Sequence, residues 1–124
     1  MDDSMRKAVG TAAEQAAFDF LLARGLKPIT RNYRCRGGEL DIVMLDGKTL
    51  AFVEVRFRAT SNFGGAADSV TWHKQRRIIF AARHFLMTHR GLSHLPGRFD
   101  IVAIDGNIQA PRIEWLKAAF TADR

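Results

Sequence analysis

Three carboxylates, Glu39, Asp41 and Glu54, gather on one face of a largely apolar stretch from Gly38 to Arg58, GELDIVMLDGKTLAFVEVRFR, whose fourth acid, Asp46, lies at its turn. Carboxylates gathered this closely repel one another and lose solvation, at a cost of about 1–3 kcal/mol each or a raised pKa. A hard divalent cation such as Mg²⁺ resolves that conflict, because it takes one or two carboxylates together with water and substrate phosphate. The plainer alternative places Glu39 and Glu54 at the solvated end of the stretch, salt-bridged to Arg56 and Arg58. On spacing alone the two readings stand level.

What must position these groups is a β-hairpin. Two runs rich in Val, Ile, Leu and Phe flank Asp46-Gly47, a dipeptide that favours a tight turn. The pattern predicts antiparallel strands over 39–45 and 48–58. Alternation puts Glu39, Asp41, Val43 and Leu45 on one face of the first strand. Lys48, Leu50, Phe52, Glu54, Arg56 and Arg58 share one face of the second. A two-residue loop pairs Leu45 with Lys48, setting Asp41 opposite Phe52 and Glu39 opposite Glu54. Asp41 and Glu54 become diagonal neighbours, roughly 7 Å or less between Cβ atoms. Both faces of the hairpin are apolar, which predicts a sheet between layers of helix.

The totals fit one domain. The chain has 124 residues, 47% of them hydrophobic and 26% charged, a globular balance with room for a core. No apolar run approaches the ~20 residues of a membrane span. The start, MDDSMRK, lacks the character of a secretory leader. A single cysteine, Cys35, excludes an internal disulfide framework and suits a reducing compartment, so a cytoplasmic protein is expected. Cys35 itself reads as incidental. The net charge of +6 fits a polyanionic partner. Its distribution says more. Between Val55 and Phe99 stand Arg56, Arg58, Lys74, Arg76, Arg77, Arg83, Arg90 and Arg98, against a single acid, Asp68.

Taken in order, residues from about Met5 to Arg24 carry a helical period, with Val9, Ala13, Ala16, Ala17, Phe20 and Leu21 on one arc and Gly25 as a stop. Glu14 lies at the edge of that arc, where it can lean into water or reach a site at the sheet rim. Lys27 to Arg34 reads as a first strand, begun or edged by Pro28. Residues 59–68, with Gly64-Gly65, read as a mobile loop. Thr71 caps a second helix running to about Arg90, with Lys74 at the border of its apolar arc and Arg76 and Arg77 on its polar side. Its histidines read as solvated basic surface. Arg98 to Ile104 is a fourth strand, and Ile113 to Phe120 closes the chain as a short strand or helical turn.

This α-β-β-β-α-β order, with Glu14, GELD and the FVEVRFR strand, resembles the restriction-endonuclease-like fold of PD-(D/E)xK phosphodiesterases. The motifs GELD, FGG, SVTWHKQRR, RFDIVAI and IEWLKAAF, spanning almost the whole chain, resemble the YraN-like family of bacterial proteins, usually grouped with Holliday junction resolvases. The resemblance implies an α/β core in which a central mixed sheet is flanked by helices. It implies that Asp41 is the metal-binding Asp, that Glu54 is the acid of the (D/E)xK element, and that Glu14 is the helix carboxylate of the resolvase branch. Glu39 stands where the motif has Pro, and Arg56 where it has Lys. Arginine stays protonated and clamps phosphate but is a poor proton acceptor. Lys74 is then the amine that could reach the site.

The reading that results is a Mg²⁺- or Mn²⁺-dependent endonuclease acting on nucleic acid, DNA ahead of RNA, with branched DNA such as Holliday junctions in view. Asp41 and Glu54 would hold the metal, with Glu14 and Glu39 as further ligands. Arg56, Arg58, Lys74, Arg76 and Arg77 would meet phosphates. The resemblance also allows a homodimer, though no stretch marks an interface. Two alternatives remain: a catalytically inactive nucleic-acid-binding module of the same fold, and a protein-interaction domain whose basic helix meets an acidic partner.

Overall fold

A computed structural model of the chain describes residues 2–58, 69–106 and 109–122; the expected loop at 59–68 lies outside the described residues. The order is α1 (Asp3–Ala23), β1 (Lys27–Cys35), β2 (Gly38–Asp46), β3 (Thr49–Arg58), α2 (Trp72–Thr88), a 3-10 turn at Arg90–Leu92, β4 (Gly97–Asp105) and β5 (Arg112–Phe120). The strands form one sheet in the order β1-β2-β3-β4-β5. Only the β3–β4 pair is parallel, and α2 supplies the crossover that a parallel pair needs. The sheet is therefore mixed. The expectation for Ile113–Phe120, left between strand and helical turn, resolves as a full edge strand, β5, paired antiparallel with β4.

Local chemistry fixes the helix ends. The Asp2 side chain accepts a hydrogen bond from the Met5 N–H at 2.9 Å, capping α1, and Gly25 ends it with φ +90. The Thr71 hydroxyl accepts from the Lys74 N–H at 3.2 Å, capping α2. That helix stops at Thr88, short of the expected Arg90. On one face of the sheet α1 buries Ala13, Ala17 and Leu21 against Ile42, Met44, Val53, Val102 and Ile104. On the other, α2 buries Ile78, Ile79, Ala82 and Phe85 against Val43, Leu50, Phe52 and Ile101. The two apolar faces of the hairpin thus have their two covering layers.

The hairpin loop lies one residue later than expected, so the pairing shifts by two residues on β3. Asp46 pairs with Thr49 and Leu45 with Leu50, so the loop residues are Gly47 and Lys48, with Gly47 at φ +62. Asp46 stays in the strand because its carboxylate is held by Arg98 at 2.6 Å and Lys117 at 3.6 Å. Phe52 therefore faces Val43 rather than Asp41. The ladder ends at Ile42/Val53, and Asp41 and Glu54 lie just beyond it. Strict alternation also breaks, in β1 and again where β5 pairs with β4. Arg31 reaches α1 through Glu14, whereas Tyr33, two residues on, packs beneath α2 against Phe85. Between them Asn32 adopts φ +55, a left-handed conformation that asparagine tolerates. The paired strand turns with it: Ile42 packs on the α1 side and Leu40 on the α2 side.

Two close contacts lock the layers. Asp100 is fully buried and accepts from Arg98 Nε at 2.9 and 3.1 Å, from Trp115 Nε1 at 3.1 Å and from the Ala118 N–H at 3.0 Å, binding β5 to β4. At Gly38, α2 passes so near that an added Cβ would lie 2.2 Å from the Arg77 carbonyl oxygen and 3.1 Å from Ala81 Cβ. Gly38→Ala is expected to push α2 off the sheet and cost about 1–3 kcal/mol. Gly10→Ala, in α1 with nothing within 4 Å of the new methyl, is expected to be neutral or stabilising. Urea denaturation of both variants checks the contrast.

Candidate metal and phosphate site

The acids converge where β2 and β3 part. Their ladder runs from Asp46/Thr49 to Ile42/Val53. One residue further, the Val55 N–H donates to Asp41 Oδ2 at 2.9 Å. A side chain thus takes a backbone donor, and the fork holds the Asp41 carboxylate between the strands.

Glu54 lies beside it on β3 with its side chain 4% exposed. Its Oε2 is 3.6 Å from Lys74 Nζ and 3.9 Å from an Arg56 guanidinium nitrogen. Its Oε1 is buried without a hydrogen-bond partner. Burial first, then the neighbouring Asp41 carboxylate, pushes the Glu54 acid from its ordinary 4.5 to about 8, against the opposing pull of Lys74 and Arg56. A buried carboxylate with an unused oxygen, next to a second carboxylate, is a donor set that suits a hard cation. Among the described residues no three His, Cys, Asp or Glu side chains form a ready metal cage. The core of the site is therefore a pair.

The other expected ligands stand near the pair but have partners of their own. Glu14, from α1, accepts from Arg31 Nε at 3.3 Å and Asn32 Nδ2 at 3.1 Å. Glu39 lies between Arg34 at 3.6 Å and Lys74 at 3.8 Å. Glu14, Glu39 and Asp41 border a common cleft of about 530 Å³ between α1 and the sheet, with Lys7, Arg31 and Arg34 also on its wall. Its cationic rim faces its acids.

Of the expected basic residues, Lys74 reaches both Glu54 and Glu39, as its place at the edge of the apolar arc implied. Arg56 stays 38% exposed beside Glu54. Arg77 is exposed on α2, and Arg76 is half-buried with its guanidinium 5.8 Å over the Trp72 ring. Arg58 is held by its β4 neighbour: Nε and a terminal nitrogen meet the two oxygens of Asp105 at 2.9 and 3.2 Å. Sequence reasoning missed Gly38, whose lack of a side chain lets α2 carry Lys74 to the acids. Its signal was the glycine immediately before the first acid.

The raised acid makes metal-free stability depend on pH. The native carboxyl keeps a proton that the unfolded chain releases, so stability present below about 4.5 is lost as pH rises to about 8. In chelator, wild-type Tm is expected to fall across that window, whereas Glu54→Gln flattens the fall. Adding Mg²⁺ or Mn²⁺ near pH 8 is expected to raise the wild-type Tm and leave that of Glu54→Gln unmoved. Differential scanning fluorimetry reads both effects.

Comparison with known proteins places the chain among relatives. The model of the uncharacterised protein family UPF0102 matches residues 13–104. A UPF0102 protein of Saccharophagus degradans is 52% identical over 112 residues, covering 90% of this chain and 92% of that protein. One from Pseudomonas putida strain W619 is 47% identical over 121 residues, covering 97% and 98%. One from Cupriavidus taiwanensis is 52% identical over 121 residues, covering 95% and 86%. With matches of this extent, the chain belongs to the uncharacterised protein family UPF0102, the YraN-like family that its motifs resemble.

Proposed function

We propose that the protein is a divalent-metal-dependent endonuclease acting on DNA, with branched DNA as its favoured substrate. The observation that carries this reading is Glu54, a buried carboxylate with one unpartnered oxygen, set against Asp41 and approached by Lys74 and Arg56. Asp41 and Glu54 would hold a Mg²⁺ or Mn²⁺ ion, with Glu39 and Glu14, which border the cleft beside Asp41, as further oxygen donors. Such an ion, when bound, supplies Lewis-acid polarisation of the phosphate and of water. Lys74 ion-pairs with Glu54 at 3.6 Å and Glu39 at 3.8 Å and is the amine placed to orient an attacking water. Arg56, fixed in its charge, clamps a phosphate oxygen. Arg76 and Arg77 extend the basic surface along α2, and Arg58, engaged with Asp105, braces the strand ends.

The second reading is a binding module without cleavage. Arginine at the motif's lysine position favours it, as does an acid that keeps its proton at neutral pH when no cation is bound. Single-turnover nicking of a four-way junction and a plain duplex, with Mg²⁺ or Mn²⁺, separates the two. Asp41→Asn and Glu54→Gln are expected to abolish metal-dependent cleavage while keeping nucleic-acid affinity. Lys74→Ala is expected to slow turnover about 100-fold or more, beyond any effect of Arg56→Lys. Absence of cleavage by both wild type and Arg56→Lys, with both metals and both substrates, while both still bind the junction, favours the binding module instead.

A further inference from the structure

Phe80 is half exposed, at 51%, on the outer side of α2. Its ring rests on the β1–β2 turn: a Cβ built on Gly37 would meet Phe80 Cε1 at 3.2 Å and Cδ1 at 3.5 Å. Gly37, with φ +96, offers bare backbone to that side of the ring. The turn leads through Gly38 into Glu39, whose carboxylate is 3.8 Å from Lys74. Phe80 therefore stands on the rim of the site, six residues along α2 from Lys74, roughly 9 Å of helix rise.

Its neighbours on the helix surface, three and four residues away, are Arg76, Arg77, Arg83 and His84, and Arg36 precedes Gly37 on the turn. Helix α2 contains no Asp or Glu. A phenyl ring surrounded by cations is poorly matched to a second copy of this surface, because a two-fold contact would set arginines against arginines. It is well matched to a nucleic-acid strand, whose phosphates meet the arginines while a base stacks on the ring.

The geometry points to Phe80 as a stacking platform for an unpaired base beside the Asp41–Glu54 site, which makes the favoured substrate a nucleic acid with a single-stranded or splayed segment there. This rests on the nucleic-acid reading above and adds a selectivity to it. Arg77 and Arg83 hold the strand by its phosphates; the ring selects strands whose bases are free to turn out of a duplex.

The test is fluorescence anisotropy of the full chain with a single-stranded oligonucleotide, a splayed duplex and a blunt duplex across a salt series. Phe80→Leu, which keeps apolar contact but removes the π-face, is expected to weaken single-strand and splayed binding about 5- to 100-fold. Blunt-duplex affinity is expected to change less than about twofold, and Phe80→Trp to restore wild-type binding. The slope of log K against log salt is expected to stay unchanged in Phe80→Leu and to fall in Arg77→Ala, since stacking releases no counterions. Equal single-strand affinity of wild type and Phe80→Leu overturns the platform and leaves the proposed function standing. Failure of the wild-type chain to bind any of the three at low salt overturns both. A Phe80→Leu effect on sedimentation behaviour, with binding unaltered, assigns the ring to self-association and overturns the platform.

Discussion

A carboxylate removed from water beside another carboxylate is the constraint from which the rest of the site follows. Glu54 is almost wholly buried, and its desolvation is larger than any single charge acting on it. Such a group must keep its proton, be paired with cations, or bind a metal. The fold supplies parts of each remedy. Lys74 and Arg56 approach one oxygen, the raised acid keeps a proton, and the other oxygen is left unused. A sheet built for stability alone would be better served by an apolar residue at this position.

The remedies depend on backbone geometry more than on side-chain choice. Lys74 reaches Glu54 because α2 lies on Gly38 without an intervening methyl, and because Thr71 fixes where the helix begins. Asp41 reaches the gap because the ladder stops at Ile42/Val53 and the next strand N–H turns to its carboxylate. Far from the site, Asp100 and Arg98 hold β4, β5 and the hairpin end together, so the opening of β2 from β3 is confined to one end of the sheet.

Period-two alternation made the two apolar faces of the hairpin legible, and with them the helical layers on both sides; the meeting of Asp41 with Glu54 depends on where the ladder ends, which alternation does not show. Lys74 was legible from its place at the border of an apolar arc. The register was not, because the tight-turn signal accommodates either Asp46-Gly47 or Gly47-Lys48 as loop, and the choice falls to ion pairs with Arg98 and Lys117, distant in sequence. The engagement of Arg58 with Asp105 was hidden likewise, since the partners lie 47 residues apart and meet only through the parallel pairing. The role of Gly38 stayed hidden because the sequence cannot show which backbone will pass over it. The four hydrogen bonds of Asp100, inside RFDIVAI, come from Arg98, Trp115 and Ala118, and strand periodicity gives no sign of them.

The left-handed Asn32 has a consequence for the whole molecule. By rotating β1 in mid-strand it turns Arg31 to α1 and Tyr33 to α2, in an edge strand whose Ile29 already packs on the α2 side. Two cores divided by a sheet can in principle melt in succession, each losing its helix independently. Here the strand that would have to release one helix is also packed under the other. The two cores are keyed together like halves of a hinge with a single pin, and the domain is built to lose its structure in one cooperative step.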